Sequence, residues 1–155
     1  MIPMVRAIAR ASIPVMGHLG LTPQSILRFG GYKVQGKKRE EAARLIDAAR
    51  GLEDAGCFAL VLEAIPAEVA ARVTERVGIP TIGIGAGPGC DGQVLVTHDL
   101  LGIYDDMRPR FVKRYADLRG EMTRAFQEYL REVREGTFPG PEHCYETEEE
   151  GEKGE

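Results

Sequence analysis

A chain of 155 residues, 43% hydrophobic and 28% charged, is long enough for one domain with a real core and too short for two comfortable ones. No run approaches the roughly 18 uninterrupted apolar residues of a membrane helix, and the opening MIPMVRAIARAS lacks the basic-then-apolar layout of a secretory leader. The expectation is a cytoplasmic protein with no membrane partner. The net charge of −4 comes from the last ten residues, ETEEEGEKGE, and residues 1–145 are close to neutral at about +1, with no basic stripe for nucleic acid. Residues 146–155 read as a disordered acidic tail, and residues 1–145 as the folded domain. Three cysteines without CxxC spacing (Cys57, Cys90 and Cys144) argue against a disulfide framework or a zinc cluster.

In chain order, residues 2–11 suit a short helix, and Ile13-Pro14-Val15-Met16 a buried strand that gives way to a glycine–histidine loop at Gly17-His18. The connection TPQSILRFGGYKVQGKK (22–38) is rich in turn residues. From Glu40, Ala42, Leu45, Ile46, Ala49 and Leu52 follow helical spacing up to Gly56. Phe58–Leu62 is a continuous apolar run, as a strand covered on both faces requires, and it ends abruptly at Glu63.

A second cycle follows. Pro66 suits a helix start, Val69, Val73 and Val77 repeat every four residues, and Gly78 closes the segment. Pro80–Ile84 is a short strand leading into a glycine loop at 85–89, and Gln93–Thr97 a fourth strand ending in His98-Asp99. Tyr115, Leu118, Met122, Ala125, Phe126, Tyr129 and Val133 mark one face of a long last helix stopped by Gly136. Strands alternating with helices predict right-handed crossovers and a parallel sheet, whose sites gather at the carboxyl ends of the strands. Those ends carry His18, Glu63, the glycine loop and His98-Asp99.

Two phosphate-loop patterns nearly match and fail. In GIGAGPG the sixth position is Pro88 counted from Gly83, or Cys90 counted from Gly85, where a dinucleotide fingerprint needs glycine. A tight turn, or a close approach of backbone to a ligand, fits better. In GYKVQGKK (31–38) Lys38 stands where a P-loop needs Ser or Thr, so a lid over the strand ends is the more natural role. Glu63, at the edge of an apolar run, is placed either for general-base work or for a salt bridge or helix cap. His18 suits contact with a substrate oxygen or a purely structural hydrogen bond. Asp99 is adequately explained as a cap, and no ionisable pair has metal-ligand spacing on one helix.

GHLGLTPQ (17–24), FGGYKVQGK (29–37), LVLEAIP (60–66), IPTIGIGAG (79–87), DGQVLVTHD (91–99) and FPGPEHCY (138–145) together resemble the ketopantoate (3-methyl-2-oxobutanoate) hydroxymethyltransferase family. The resemblance implies a (β/α)8 TIM barrel, of which this chain would be the C-terminal half: strands five to eight and a long C-terminal helix. It also implies hydroxymethyl transfer from 5,10-methylenetetrahydrofolate to 3-methyl-2-oxobutanoate, giving ketopantoate for pantothenate and coenzyme A. In that chemistry Mg2+ chelates the oxo acid and a base removes its C3 proton. The resemblance makes Glu63 that base and His18 a substrate contact. It puts the magnesium-binding acids and the oxo-acid lysine in a missing N-terminal half, so this chain has no metal ligands of its own. The family's oligomers imply self-association, and an isolated half is expected to be inactive. Two other readings stand beside this one: a lyase of the phosphoenolpyruvate/pyruvate superfamily, or a non-catalytic fragment that assembles through its last helix.

Overall fold

A computed structural model describes residues 1–22, 34–105 and 109–146. In chain order the elements are α1 (Ile2–Arg10), β1 (Val15–Gly20), α2 (Arg39–Asp54), β2 (Cys57–Glu63), α3 (Ala67–Thr74), β3 (Thr81–Ile84), β4 (Gly92–Gln93), α4 (Thr97–Leu100) and α5 (Leu118–Glu135), with a final 3-10 turn at Pro141–His143. The four strands form one sheet in the order β1-β2-β3-β4, and every neighbouring pair is parallel. Sequential parallel strands, the first three joined by helices and the last two by the loop 85–91, are the arrangement of half of a (β/α)8 barrel, as the α/β reading of the sequence expects.

Register divides the sheet into two faces. Met16, His18, Val61, Glu63, Ile82 and Ile84 alternate onto one, and Gly17, Leu19, Leu60, Leu62, Thr81 and Gly83 onto the other. The second face holds the core. Leu60 and Leu62 are fully buried there together with Ile46, Ala49 and Leu52 of α2 and Ala70 and Val73 of α3. These α2 residues belong to the stripe whose spacing predicts the helix. On the first face Met16 remains 43% exposed, and Val94 and Val96 beyond β4 are 44% and 51% exposed.

Before α5, four boundaries differ from expectation, each for a physical reason. β1 begins later and runs through His18, because Gly17 is a packing residue and not a loop signal. A Cβ there would stand 2.6 Å from Leu60 Cδ2 and 2.9 Å from Leu52 Cδ1. α3 stops at Thr74, four residues short of Gly78. The Thr74 hydroxyl bonds both the Ala70 carbonyl and Thr81, and the Gly78 amide donates to Glu53 Oε1 instead of closing the helix. β4 is only Gly92–Gln93, followed by one further bond from Val94 N to the Gly83 carbonyl, since β3 offers a short edge. His98 and Asp99 consequently lie on the short helix α4 and not at a strand end.

α5 ends at Gly136 as the pattern predicts but begins only at Leu118, so Tyr115 of the expected stripe lies before it, its amide donating to the Leu100 carbonyl. Asp117 accepts the Gly120 amide at its start, and Gly136 closes it in the left-handed conformation (φ 71°). Yet none of its 18 residues is buried. Among the described residues no helix is long and apolar enough to cross a membrane. Most of the connection 22–38, including Gly31–Lys33, and the tail from residue 147 onward lie outside the described residues, as do the lid and disorder expectations that concern them.

Candidate active site at the strand ends

β1 and β2 run side by side with His18 opposite Val61 and Gly20 opposite Glu63. This register puts the imidazole and the carboxylate on the same face, near the carboxyl ends of adjacent strands. His18 Nε2 lies 3.0 Å from Glu63 Oε2, with the side chains 33% and 20% exposed. A carboxylate can only accept, so Nε2–H is the donor, and Oε1 has no other partner among the described residues. The pair is therefore half-sheltered, with Oε2 of the carboxylate held by the imidazole.

Its backbone is held as firmly as its side chains. Gly20, at φ 94°, passes so close to β2 that a Cβ there would meet the carbonyl oxygen of Glu63 and the side chain of Ile65. Leu21 N donates to the Glu63 carbonyl at 2.9 Å. The glycine after the histidine thus lets two strand ends touch, a requirement the sequence shows only as one glycine among many.

The other strand-end candidates do not join this pair. Gly87 and Gly89 pack directly on Ala67 and Ala71 of α3, and Gly85 lies under the Phe111 ring. The loop 85–89 is thus a tight turn whose close approaches are to a helix and an aromatic ring. His98 is exposed, and its carbonyl accepts Ile103 N in the turn after α4.

One polar cluster the sequence reading missed sits at the opposite, amino end of β3. Buried Thr81 bonds Thr74 Oγ1 (2.8 Å), and Asp91 Oδ2 accepts both the Thr81 amide (2.8 Å) and its hydroxyl (2.9 Å). These bonds hold the Asp91 carboxyl below its ordinary range, the Thr81 backbone amide contributing most. Its position at the amino end of the sheet makes it a structural lock. Burial raises the Cys57 thiol and, against weaker hydrogen bonds from Thr81 and Thr74, that of Cys90.

A parallel α/β sheet with an acid and an imidazole paired at adjacent carboxyl strand ends defines the class, a half-barrel scaffold. Residues 1–141 match the family described as ketopantoate hydroxymethyltransferase, and the chain belongs to it. The 3-methyl-2-oxobutanoate hydroxymethyltransferase of Nitratidesulfovibrio vulgaris (strain DP4) is 62% identical over 144 residues, 93% of this chain and 47% of that protein. Its namesake in Enterococcus faecalis (strain V583) is 57% identical over 141 residues, 91% of this chain and 51% of the relative. In Clostridium novyi (strain NT) the identity is 56% over 148 residues, 96% and 54% of the two chains. This chain therefore spans about half the length of the curated relatives it matches.

Proposed function

We propose that this chain carries the proton-abstracting half of a hydroxymethyl transfer from 5,10-methylenetetrahydrofolate to 3-methyl-2-oxobutanoate, yielding ketopantoate for pantothenate biosynthesis. The observation that supports it best is the 3.0 Å His18–Glu63 pair at the ends of adjacent parallel strands. Glu63 is the base: with Oε2 held by the imidazole, Oε1 can take the C3 proton of the oxo acid. His18 fixes the carboxylate's orientation, and its ring stands beside the substrate. Removal of the C3 proton leaves an enolate whose C3 attacks the methylene carbon of the folate. That carbon's bonds to the folate nitrogens break, water supplies the hydroxyl oxygen, and ketopantoate and tetrahydrofolate leave.

An enolate oxygen needs an electrophile, and the sequence resemblance implies Mg2+ for that role. Among the described residues no three His, Cys, Asp or Glu side chains come together to hold a cation. The described residues do not fit that cation by themselves. The reading therefore requires a second half-barrel to supply the electrophile and the rest of the oxo-acid pocket. Assembly into a homo-oligomer in the cytoplasm belongs to the same proposal.

The test mixes the purified chain with the separately expressed N-terminal half of the Nitratidesulfovibrio relative. Ketopantoate formation and folate-independent exchange of the C3 proton into D2O are then followed. Product from the mixture, none from the chain alone, and a loss of about 10²–10⁴-fold in both signals for Glu63→Gln are expected. Full activity of the Glu63→Gln mixture would exclude Glu63 as the base.

A further inference from the structure

Ala64, the residue after Glu63, has φ +49°. Ser12 (φ 62°) is the other non-glycine residue with positive φ among the described residues, and it lies in an exposed turn. Ala64 is buried, 7% exposed, and leaves the strand through a conformation that side chains with a Cβ rarely adopt. Three segments fasten it there. Ala64 N donates to the Ile84 carbonyl at the end of β3, and the Ala64 carbonyl accepts Gln35 N from the chain leading into α2, each at 2.9 Å. The neighbouring Glu63 carbonyl accepts Leu21 N, just past β1, also at 2.9 Å. The peptide between Glu63 and Ala64 is thus tied to the chain just past β1 and to the end of β3, and the next peptide, through the Ala64 carbonyl, to the approach to α2. Only glycine at position 20 lets β1 come this close, since a Cβ there would meet the Glu63 carbonyl.

A carboxylate on a free strand end would share the fraying of that end. Here the Cα of Glu63 is fixed on both sides, which leaves only the side-chain torsions to settle where the carboxylate stands. We propose that Ala64 is a positioning residue for Glu63: its left-handed backbone, held from three segments, sets the carboxylate at hydrogen-bonding distance from His18. The inference rests on the reading of Glu63 as the base. It is specific about cause, since the conformation of residue 64 does the work and not its methyl group.

Two substitutions of similar size separate these. Asn accepts the left-handed conformation, and the β-branched Thr resists it. The readout is the change in His18 ring 15N resonances produced by Glu63→Gln, measured by NMR on the histidine-labelled chain in each background. This double-mutant difference reports contact between the two side chains. In wild type and in Ala64→Asn the Glu63→Gln change is expected to be equal. In Ala64→Thr it should fall to about half or less. Ala64→Val repeats the β-branched arm should Ala64→Thr fail to fold.

Equal changes in all backgrounds, or equal losses in Asn and Thr, overturn the proposal, because conformation would then not decide the contact. Unfolding of both β-branched variants also overturns it, making the conformation a demand of the fold and not of the pair. The measurement needs no catalysis. Absence of product in the mixing assay with an intact NMR signature would sink the transfer reading alone. Absence of any His18 response in wild type would sink this one.

Discussion

The helix-facing side of the sheet and the helix α5 carry equally regular apolar patterns, but only the first is covered. Leu60 and Leu62 are 0% exposed beneath α2 and α3, whereas Phe126 and Tyr129 of α5 are 62% and 52% exposed. The difference lies in what the chain supplies nearby. The stripes of α2 and α3 follow their strands closely enough to fold back on them within this chain. The stripe on α5 (Met122, Phe126, Tyr129 and Val133) stays exposed, although Tyr129 meets the Phe138 ring edge-on with centroids 5.5 Å apart, and Met16, Val94 and Val96 near the open side of the sheet stay exposed too. Apolar periodicity states that a face must be covered without stating by what.

The largest expected effect tests that contrast directly. Leu60→Ala should cost about 2–5 kcal/mol in urea unfolding, because it opens a cavity among fully packed neighbours. Phe126→Ala should change the stability of the isolated chain by no more than about 0.5 kcal/mol. A large loss at Phe126 that grows with protein concentration would show that α5 is covered by a second copy. The contrast would then lie between two kinds of cover and not between cover and exposure.

A smaller effect compares glycines. Gly20→Ala places a methyl group against the Glu63 carbonyl at φ 94° and should cost about 2–3 kcal/mol, while loosening the His18–Glu63 pair. Gly136→Ala, at φ 71° with nothing within 4 Å of the added methyl, should cost about 1 kcal/mol and leave the pair untouched. Equal costs, read from denaturation midpoints, would deny that the strand ends are more tightly built than the C-terminal arm.

Much of this was legible in the residues. The alternation of elements gave the parallel sheet, and the change from Leu62 to Glu63 marked the site, because a charge that ends an apolar run must leave the core there. The family motifs tied His18 to the same place. Glycine was what misled: Gly17 looks like a breaker in the sequence but is a packing residue inside β1, since absence of a side chain serves turns and close contacts alike. The fourth strand was overread for a related reason. Gln93-Val94-Leu95-Val96-Thr97 has strand composition, yet pairing needs a neighbour, and β3 has only four residues. The left-handed Ala64 was invisible, because alanine carries no signal for that conformation.

The smallest expected effect concerns the amino end of β3, where Asp91 and Thr81 hold the sheet together far from the His18–Glu63 pair. Hydrogen bonds from the Thr81 amide and hydroxyl hold the Asp91 carboxyl below its unfolded value, so the unfolded chain binds its proton first as pH falls. The stabilisation is complete above the unfolded value, near pH 4, and is lost as pH falls through the depressed one. Asp91→Asn should therefore flatten the fall in stability below about pH 4 and lower stability slightly at neutral pH. The His18–Glu63 resonances, at the other end of the sheet, should not respond. If they do, the two ends are coupled through β3, whose Ile84 carbonyl accepts the amide of Ala64. The lock would then belong to the same positioning device as the site.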